Sequence, residues 1–189
     1  MTDTRQIIFI RHAKTAGNLE KRYIGRTDEP LCEIGIAELS KMSYPDVDLV
    51  VCSPMLRCRQ TARLIYSDSK LLINENLREC DFGDFEGKNY LELSDNPAYA
   101  EWIKSNGTLP FPGGESHEGF QRRCVAAFDR AVSEHRFETM AFVVHGGTIM
   151  AILERYALPK KGFYDYQVKN CHGFLTVFDG NSLTVQREI

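Results

Sequence analysis

Apolar residues in this chain fall into short runs of strand length, separated by longer stretches of helical period. The first run, Ile7-Ile8-Phe9-Ile10, is β-favouring and gives way at once to the polar Arg11-His12-Ala13-Lys14-Thr15. That change predicts a buried strand passing to a helix from about Ala13 to Leu19, with Arg11 and His12 at the junction. A polar loop from Arg22 to Leu31 follows, then a helix from about Cys32 to Ser43 with Ile36 and Leu39 turned inward and Pro45 at its end. Leu49-Val50-Val51-Cys52 reads as a second strand. Ser53-Pro54 has the chemistry of a helix start, with Ser as N-cap and Pro at the first helical position. This predicts a helix to about Tyr66, carrying Arg57 in its first turn.

Leu71-Leu72-Ile73 reads as a third strand, and Leu77 to Gly87 as an acidic loop punctuated by glycine. The pattern is weak from there to Thr108, and Pro110-Phe111-Pro112-Gly113-Gly114 is a break. From Glu115 or Ser116 a helix should reach about His135, with Phe120, Cys124, Ala127, Phe128 and Ala131 on one face. Ala141-Phe142-Val143-Val144 reads as a fourth strand running into His145-Gly146-Gly147-Thr148. The next helix has Ile149, Ile152, Leu153 and Tyr156 on one stripe and is stopped by Pro159. Gly173 to Phe178 and Leu183 to Gln186 suggest an antiparallel hairpin across Asp179-Gly180-Asn181. Strands alternating with helices predict an α/β fold, a three-layer α/β/α sandwich with a mainly parallel sheet. At 189 residues, a single domain spanning 1–189 is expected.

A net charge of -3 argues against a nucleic-acid binder working by bulk charge. The charge is unevenly placed, however. Residues 5–26 hold six basic groups against Glu20, whereas residues 74–101 hold eight acids against Arg78 and Lys88. A mildly acidic chain can thus carry a local cationic pocket. The six cysteines show no C-x-x-C pair and no zinc spacing, so no metal is expected. With no secretory apolar segment at the N-terminus and no run approaching a membrane span, the expectation is a cytoplasmic chain with reduced thiols and no membrane partner.

Three predicted strand-to-helix junctions bring polar residues to one rim of the sheet: Arg11-His12, Ser53 to Arg57, and His145-Gly146. Open α/β sheets bind ligands at that rim. Two arginines, two histidines and helix N-termini suit a phosphate, because the guanidinium fork matches its oxygens and helix N–H groups attract anions. Each residue alone has an ordinary reading: His145 as a hydrogen-bonded structural histidine, Arg57 as a surface residue, Glu79 as a solvated loop acid. Their coincidence at one rim changes the balance.

The same residues carry a resemblance. Arg11-His12-Ala13-Lys14-Thr15 resembles the R-H-G-x-T signature of the histidine phosphatase superfamily, the phosphoglycerate mutase-like proteins. Cys52 to Ala62 resembles its S-S-P-x-x-R-x-x-Q-T-A stretch, Leu77 to Gly87 its L-x-E…G-x-x-E-G segment, and Val144-His145-Gly146-Gly147 its second H-G motif. The four appear in family order and span residues 7 to about 150. The resemblance implies catalytic roles for His12, Glu79, Arg11, Arg57 and His145. His12 would be the nucleophile that becomes phosphohistidine, and Glu79 the proton donor to the leaving alcohol and then the base for water. Arg11, Asn18, Arg57, His145 and Gly146 would bind the phosphoryl group. No cofactor or metal is implied, and the partner would be a small phosphorylated metabolite.

Ala13 departs from the usual glycine and Lys14 from the usual Glu or Gln, which bears on substrate choice. Lys14, Arg22 and Arg26 either reach a ligand or form a solvated face; Tyr23 and Gly25 lie in the same candidate substrate segment. Cys80 is either oxidation-sensitive or buried and inert, and His117, His135 and His172 are taken as structural or surface residues. A phosphoglycerate mutase would carry an arginine-bearing insertion and a C-terminal tail. Tyr90 to Pro112 holds only Lys104 as a base and the chain ends soon after its last strand, which favours hydrolysis. The segments Arg22 to Leu31 and Pro112 to Ser116 most resemble those of α-ribazole phosphatases. A non-catalytic phosphate- or phosphoprotein-binding module is the remaining alternative.

Overall fold

A computed structural model of the chain describes residues 4–189. Its centre is a seven-stranded sheet in the order β3-β2-β4-β1-β6-β7-β5. The strands are β1 (Arg5–Arg11), β2 (Leu49–Cys52), β3 (Leu71–Ile73), β4 (Thr139–Val144), β5 (Ala157–Leu158), β6 (Gly173–Phe178) and β7 (Leu183–Glu188). β3, β2, β4 and β1 run parallel to their neighbours; β6 is antiparallel to β1, β7 is antiparallel to β6, and β5 closes the edge parallel to β7.

Side-chain alternation along β1 sorts the core into two layers. Ile7 and Phe9 face a large cluster with Phe120, Phe128, Phe142, Ile149 and Leu153, and Ile8 and Ile10 face Val50, Cys58, Ala62 and Val143. The first cluster is supplied by α5 (His117–Glu134) and α6 (Gly146–Tyr156), the second by α3 (Leu56–Ile65). The shorter helices α1 (Ala16–Leu19), α2 (Glu33–Leu39) and α4 (Pro97–Lys104) decorate this frame. Phe9, Phe128 and Phe142 pack with ring centroids 5.4–6.1 Å apart at the centre of the first layer.

Several elements differ from the sequence expectation. α1 starts only at Ala16, because Thr15 and Asn18 close a reciprocal capping box that sets the helix start there. α2 ends at Leu39, short of Ser43. α3 starts at Leu56 with Met55 as N-cap, so Ser53 is not the cap; its hydroxyl is engaged by His145 instead, at 2.7 Å. Asp28 caps the helix from the loop, accepting the Leu56 N–H at 2.6 Å. α4 lies in the stretch where the apolar pattern is weak. It begins on an Asn96 N-cap followed by Pro97, and none of its residues is fully buried.

The register explains why distant motifs meet. β1, β4 and β2 are adjacent and parallel, with Arg11 opposite Val144 and Cys52 opposite Val143. Backbone pairing continues past the strand ends: the His12 N–H donates to Val144 O and the Ser53 N–H to Val143 O. His12, Ser53 and His145 therefore leave the same edge side by side.

Candidate active site

His12 and His145 are almost completely buried, at 4% and 0% exposed, and their ring centroids are 5.2 Å apart with the planes near perpendicular. His12 Nδ1 lies 2.7 Å from the Ala13 carbonyl oxygen, which can only accept. Nδ1 therefore carries the proton, and Nε2 keeps its lone pair. Burial holds the His12 imidazole well below its ordinary pKa, and the Arg57 and Arg11 cations push the same way. The ring is thus neutral at physiological pH. Ala13 adopts no left-handed backbone; its N–H donates to Thr61 Oγ1 at 3.0 Å. The methyl that replaces glycine is accommodated without strain.

Two guanidinium groups flank the histidines. Arg57 is fully buried and is held by backbone carbonyls: one amine donates to Thr27 O at 2.8 Å, the other to Gly25 O at 2.8 Å and Ile24 O at 3.3 Å. Arg11 donates to Val168 O at 2.8 Å. The Nε of each arginine is buried without any partner. An unpaired charged donor in such a place costs about 1–3 kcal/mol or more, so the pair is a standing demand for an anion.

Glu79 enters from the long connection between β3 and α5. Its Oε1 accepts the Cys80 N–H at 3.0 Å and its Oε2 the Gly147 N–H at 3.2 Å, so the first turn of α6 fixes the carboxylate. Burial raises its pKa above the ordinary carboxylate value, against those two hydrogen bonds and the Arg57 and Arg11 charges. A raised carboxyl can arrive protonated and act as an acid. His145 is held neutral by burial and by the Arg57 charge, with its Nε2 on Ser53 Oγ.

Asn18 lines the cavity beside Arg11 and His12. Its Oδ1 is taken by Thr15 N–H and by Asn170 Nδ2, which leaves its own amide donors for the cavity. Gly146 packs against Arg11, whose Cζ lies 3.5 Å from where a Cβ would stand. The tentative substrate residues separate. Tyr23 and Arg22 line the cavity, but Arg22 is tied to Glu20 and Glu92, each at 2.6 Å. Gly25 serves Arg57 rather than the cavity; a Cβ there would stand 2.0 Å from the Cys80 carbonyl, so the loop docks only as glycine. Lys14 and Arg26 lie outside the cavity lining. Lys14 pairs with Glu38 at 2.7 Å and Arg26 with Asp81 at 3.5 Å, because each finds a carboxylate on a neighbouring segment.

Other contributors are silent in the motif pattern. Asn170 donates to the His12 carbonyl at 2.9 Å and Arg123 to the Glu79 carbonyl at 2.9 Å. His117 lines the cavity against Phe163, their rings 4.6 Å apart. Cys80 is buried and its thiol pKa is pushed up by burial, which opposes thiolate reactivity. Among the described residues no group of three or more His, Cys, Asp or Glu could hold a metal, and no helix is long and apolar enough to cross a membrane.

The family model described as histidine phosphatase superfamily, branch 1, matches residues 7–188. The chain belongs to that superfamily. Among histidine phosphatase relatives, it is 30% identical over 158 residues to a protein of Hydrogenobacter thermophilus named for phosphoserine phosphatase activity, covering 79% of this chain and 77% of that one. It is 28% identical over 195 residues to an adenosylcobalamin/α-ribazole phosphatase of Salmonella typhimurium, covering 94% and 96%. The crystal structure of the α-ribazole phosphatase from Shigella flexneri superposes with a TM-score of 0.80 at 25% identity, over 96% of this chain and 94% of that one. The histidine phosphatase fold and its mainly parallel sheet therefore extend over nearly the whole of this chain.

Proposed function

We propose that this protein is a phosphoric monoester hydrolase working through a phosphohistidine on His12. The observation that carries the reading is the pair of unpartnered buried Nε donors, on Arg11 and Arg57, beside a histidine whose Nε2 lone pair is free. A phosphoryl dianion in the cavity that Arg11 and His12 line with Glu79 would answer the Arg11 donor and be drawn by the Arg57 charge, which acts on the same imidazole although Arg57 itself lies outside the lining. In the first step Nε2 forms a bond to phosphorus while the ester P–O bond breaks. The electron pair stays on the leaving oxygen, which takes the proton of Glu79. In the second step the Glu79 carboxylate removes a proton from water, whose oxygen attacks phosphorus. The P–N bond then breaks, its pair returns to Nε2, and inorganic phosphate is released.

Uncatalysed phosphomonoester hydrolysis is so slow that enzymes accelerate it by up to ~10²¹-fold. General acid–base help supplies about 10²–10⁴ of this, so positioning and charge must supply most. The buried arginines and His145 are suited to that share. Similarity over nearly full length supports α-ribazole phosphate as the substrate.

The test is release of inorganic phosphate from p-nitrophenyl phosphate and from α-ribazole phosphate by wild type and His12→Ala. Turnover of both by wild type and of neither by the variant is expected. Phosphate binding without turnover by wild type would instead favour a binding module.

A further inference from the structure

Glu79 lines two cavities. One is the cavity it shares with Arg11 and His12. The other is polar, about 530 Å³ in volume, and lined by Glu79 together with Arg26, Arg78, Asp81, Glu115 and Arg123. Residues 79–82 belong to no helix or strand, so regular secondary structure does not fix the carboxyl between the two.

Its hold comes from α5 and the residues just before it. The Arg123 guanidinium uses all five of its N–H donors. Nε donates to Glu115 Oε1 at 2.7 Å and Nη2 to Glu115 Oε2 at 2.8 Å. Nη1 donates to Asn76 O at 2.8 Å and to Arg78 O at 2.7 Å, and Nη2 also donates to Glu79 O at 2.9 Å. Glu115 secures the other side of the segment: its N–H donates to Asp81 O at 2.9 Å, and its Oε2 accepts the Asp81 N–H at 3.3 Å. The ion pair thus grips the chain before, at and after Glu79. One turn earlier on α5, the Phe120 ring lies 4.8 Å from Arg123 Cζ and lines the catalytic cavity. A Cβ at Gly147 would stand 2.5 Å from Glu79 Oε1 and 3.0 Å from Phe120 Cζ, so carboxyl and ring fill the space above that glycine.

The grip works by geometry. Arg123 is neutralised by its two-point pairing with Glu115, and the cations that act on the Glu79 carboxyl are Arg57 and Arg11. A planar fork of five fixed donors serves five oxygens in a way that the compact ammonium of lysine does not.

We propose that Arg123 and Glu115 are positioning residues for Glu79, their ion pair holding its carboxyl on the Gly147 N–H at the catalytic cavity and against release into the polar cavity behind. This rests on the monoester-hydrolase reading for its catalytic meaning, but the placement of the carboxyl can be measured without turnover.

Two altered proteins are compared with wild type. Arg123→Lys keeps a cation for Glu115 but has three donors in place of five. Arg123→Met combined with Glu115→Gln leaves neither charge alone, and whichever of the two folds carries the test. The first readout is the Gly147 amide proton in nitrogen–proton correlation spectra. Its shift follows the ionisation of the carboxylate it bonds, and Glu79→Gln should abolish that titration. In the altered proteins the titration should be largely lost. The second readout is kcat/KM for 2-phenylethyl phosphate against p-nitrophenyl phosphate. A misplaced acid should lower the first on the order of tenfold more than the second, because nitrophenolate leaves with less help. In a Glu79→Gln background the same substitutions should leave that ratio unchanged. A role in stability alone lowers both esters together, keeps the Gly147 titration and overturns the proposal. Recovery of the wild-type ratio by Arg123→Lys makes charge the agent in place of geometry and also overturns it. Loss of the Gly147 titration in the altered proteins, with no hydrolysis of either ester by wild type, upholds the placement and overturns the hydrolase reading.

Discussion

At the scale of single residues, burial favours the uncharged form of both groups assigned to the chemistry. His12 is kept neutral by burial and two arginines, and Glu79 is kept protonated to higher pH by burial. The sign of the pH dependence follows. Activity should rise as pH climbs through the lowered His12 pKa, and fall as pH climbs through the raised Glu79 pKa. The expected profile of kcat/KM, corrected for the second ionisation of the substrate, is therefore a bell displaced to the acid side. Glu79→Gln should abolish the alkaline limb and lower kcat by about 10²–10⁴ for an alkyl phosphate. The loss in kcat/KM, which reports phosphoryl transfer to His12 rather than the later attack of water, should be smaller for p-nitrophenyl phosphate, whose leaving group needs less help. An unchanged alkaline limb in the variant would assign the acid elsewhere. That His12 and Glu79 would meet in one cavity was legible in the sequence, because each sits within a short motif at a strand end or its adjoining loop. Asn170 and Arg123 were not, because each acts on the site through a backbone carbonyl far away in the chain, a contact that leaves no local pattern.

At the scale of elements, the loop from Arg22 to Leu31 matters most. Three of its carbonyls hold Arg57, and the loop is in turn held by Glu86, whose Oε1 accepts from Gly25 N–H, Thr27 N–H and Thr27 Oγ1 at 2.8–3.0 Å. Glu86→Ala leaves those donors unpaired and frees the loop that fixes Arg57. The variant should bind inorganic phosphate on the order of tenfold more weakly by calorimetry, since one buried hydrogen-bonding partner is worth about 1–3 kcal/mol. Far-UV circular dichroism should be unchanged, and an unaltered affinity would show that Arg57 needs no such support. The strand-to-helix order of the chain was readable from local periodicity, and so was the long amphipathic α5. The start of α3 was misread for a physical reason. A serine before proline looks like a cap in isolation, but its hydroxyl has a partner 92 positions away in His145. α4 stays weak in pattern because none of its residues is fully buried, so no continuous apolar stripe is required of it.

At the scale of the whole molecule, the sheet does two jobs: its two faces bury the core, and its carboxyl edge gathers the charges. The first job predicts that Phe128→Ala, at the centre of the aromatic layer, costs about 3–5 kcal/mol in urea unfolding. The second job makes stability depend on the ligand and on pH. With phosphate at 100 times its Kd the gain is about 2.7 kcal/mol, or roughly 5–10 °C in Tm for a chain of this size. Without phosphate, the unfolded chain takes up protons at His12 and His145 below about pH 6.5 while the folded chain resists them. Stability should therefore fall between pH 7 and pH 5.5, opposed in part by Glu79, whose raised pKa acts with the other sign. A urea midpoint that rises on acidification would contradict the buried neutral pair. The most direct test of the chemistry is a correlated proton–phosphorus NMR spectrum of the phosphoenzyme, trapped by rapid mixing with a reactive ester and denatured in base. Phosphorus coupled to the ring protons flanking Nε2 of His12 is the predicted result; phosphorus on Nδ1, on another side chain, or on none while turnover proceeds, would contradict it.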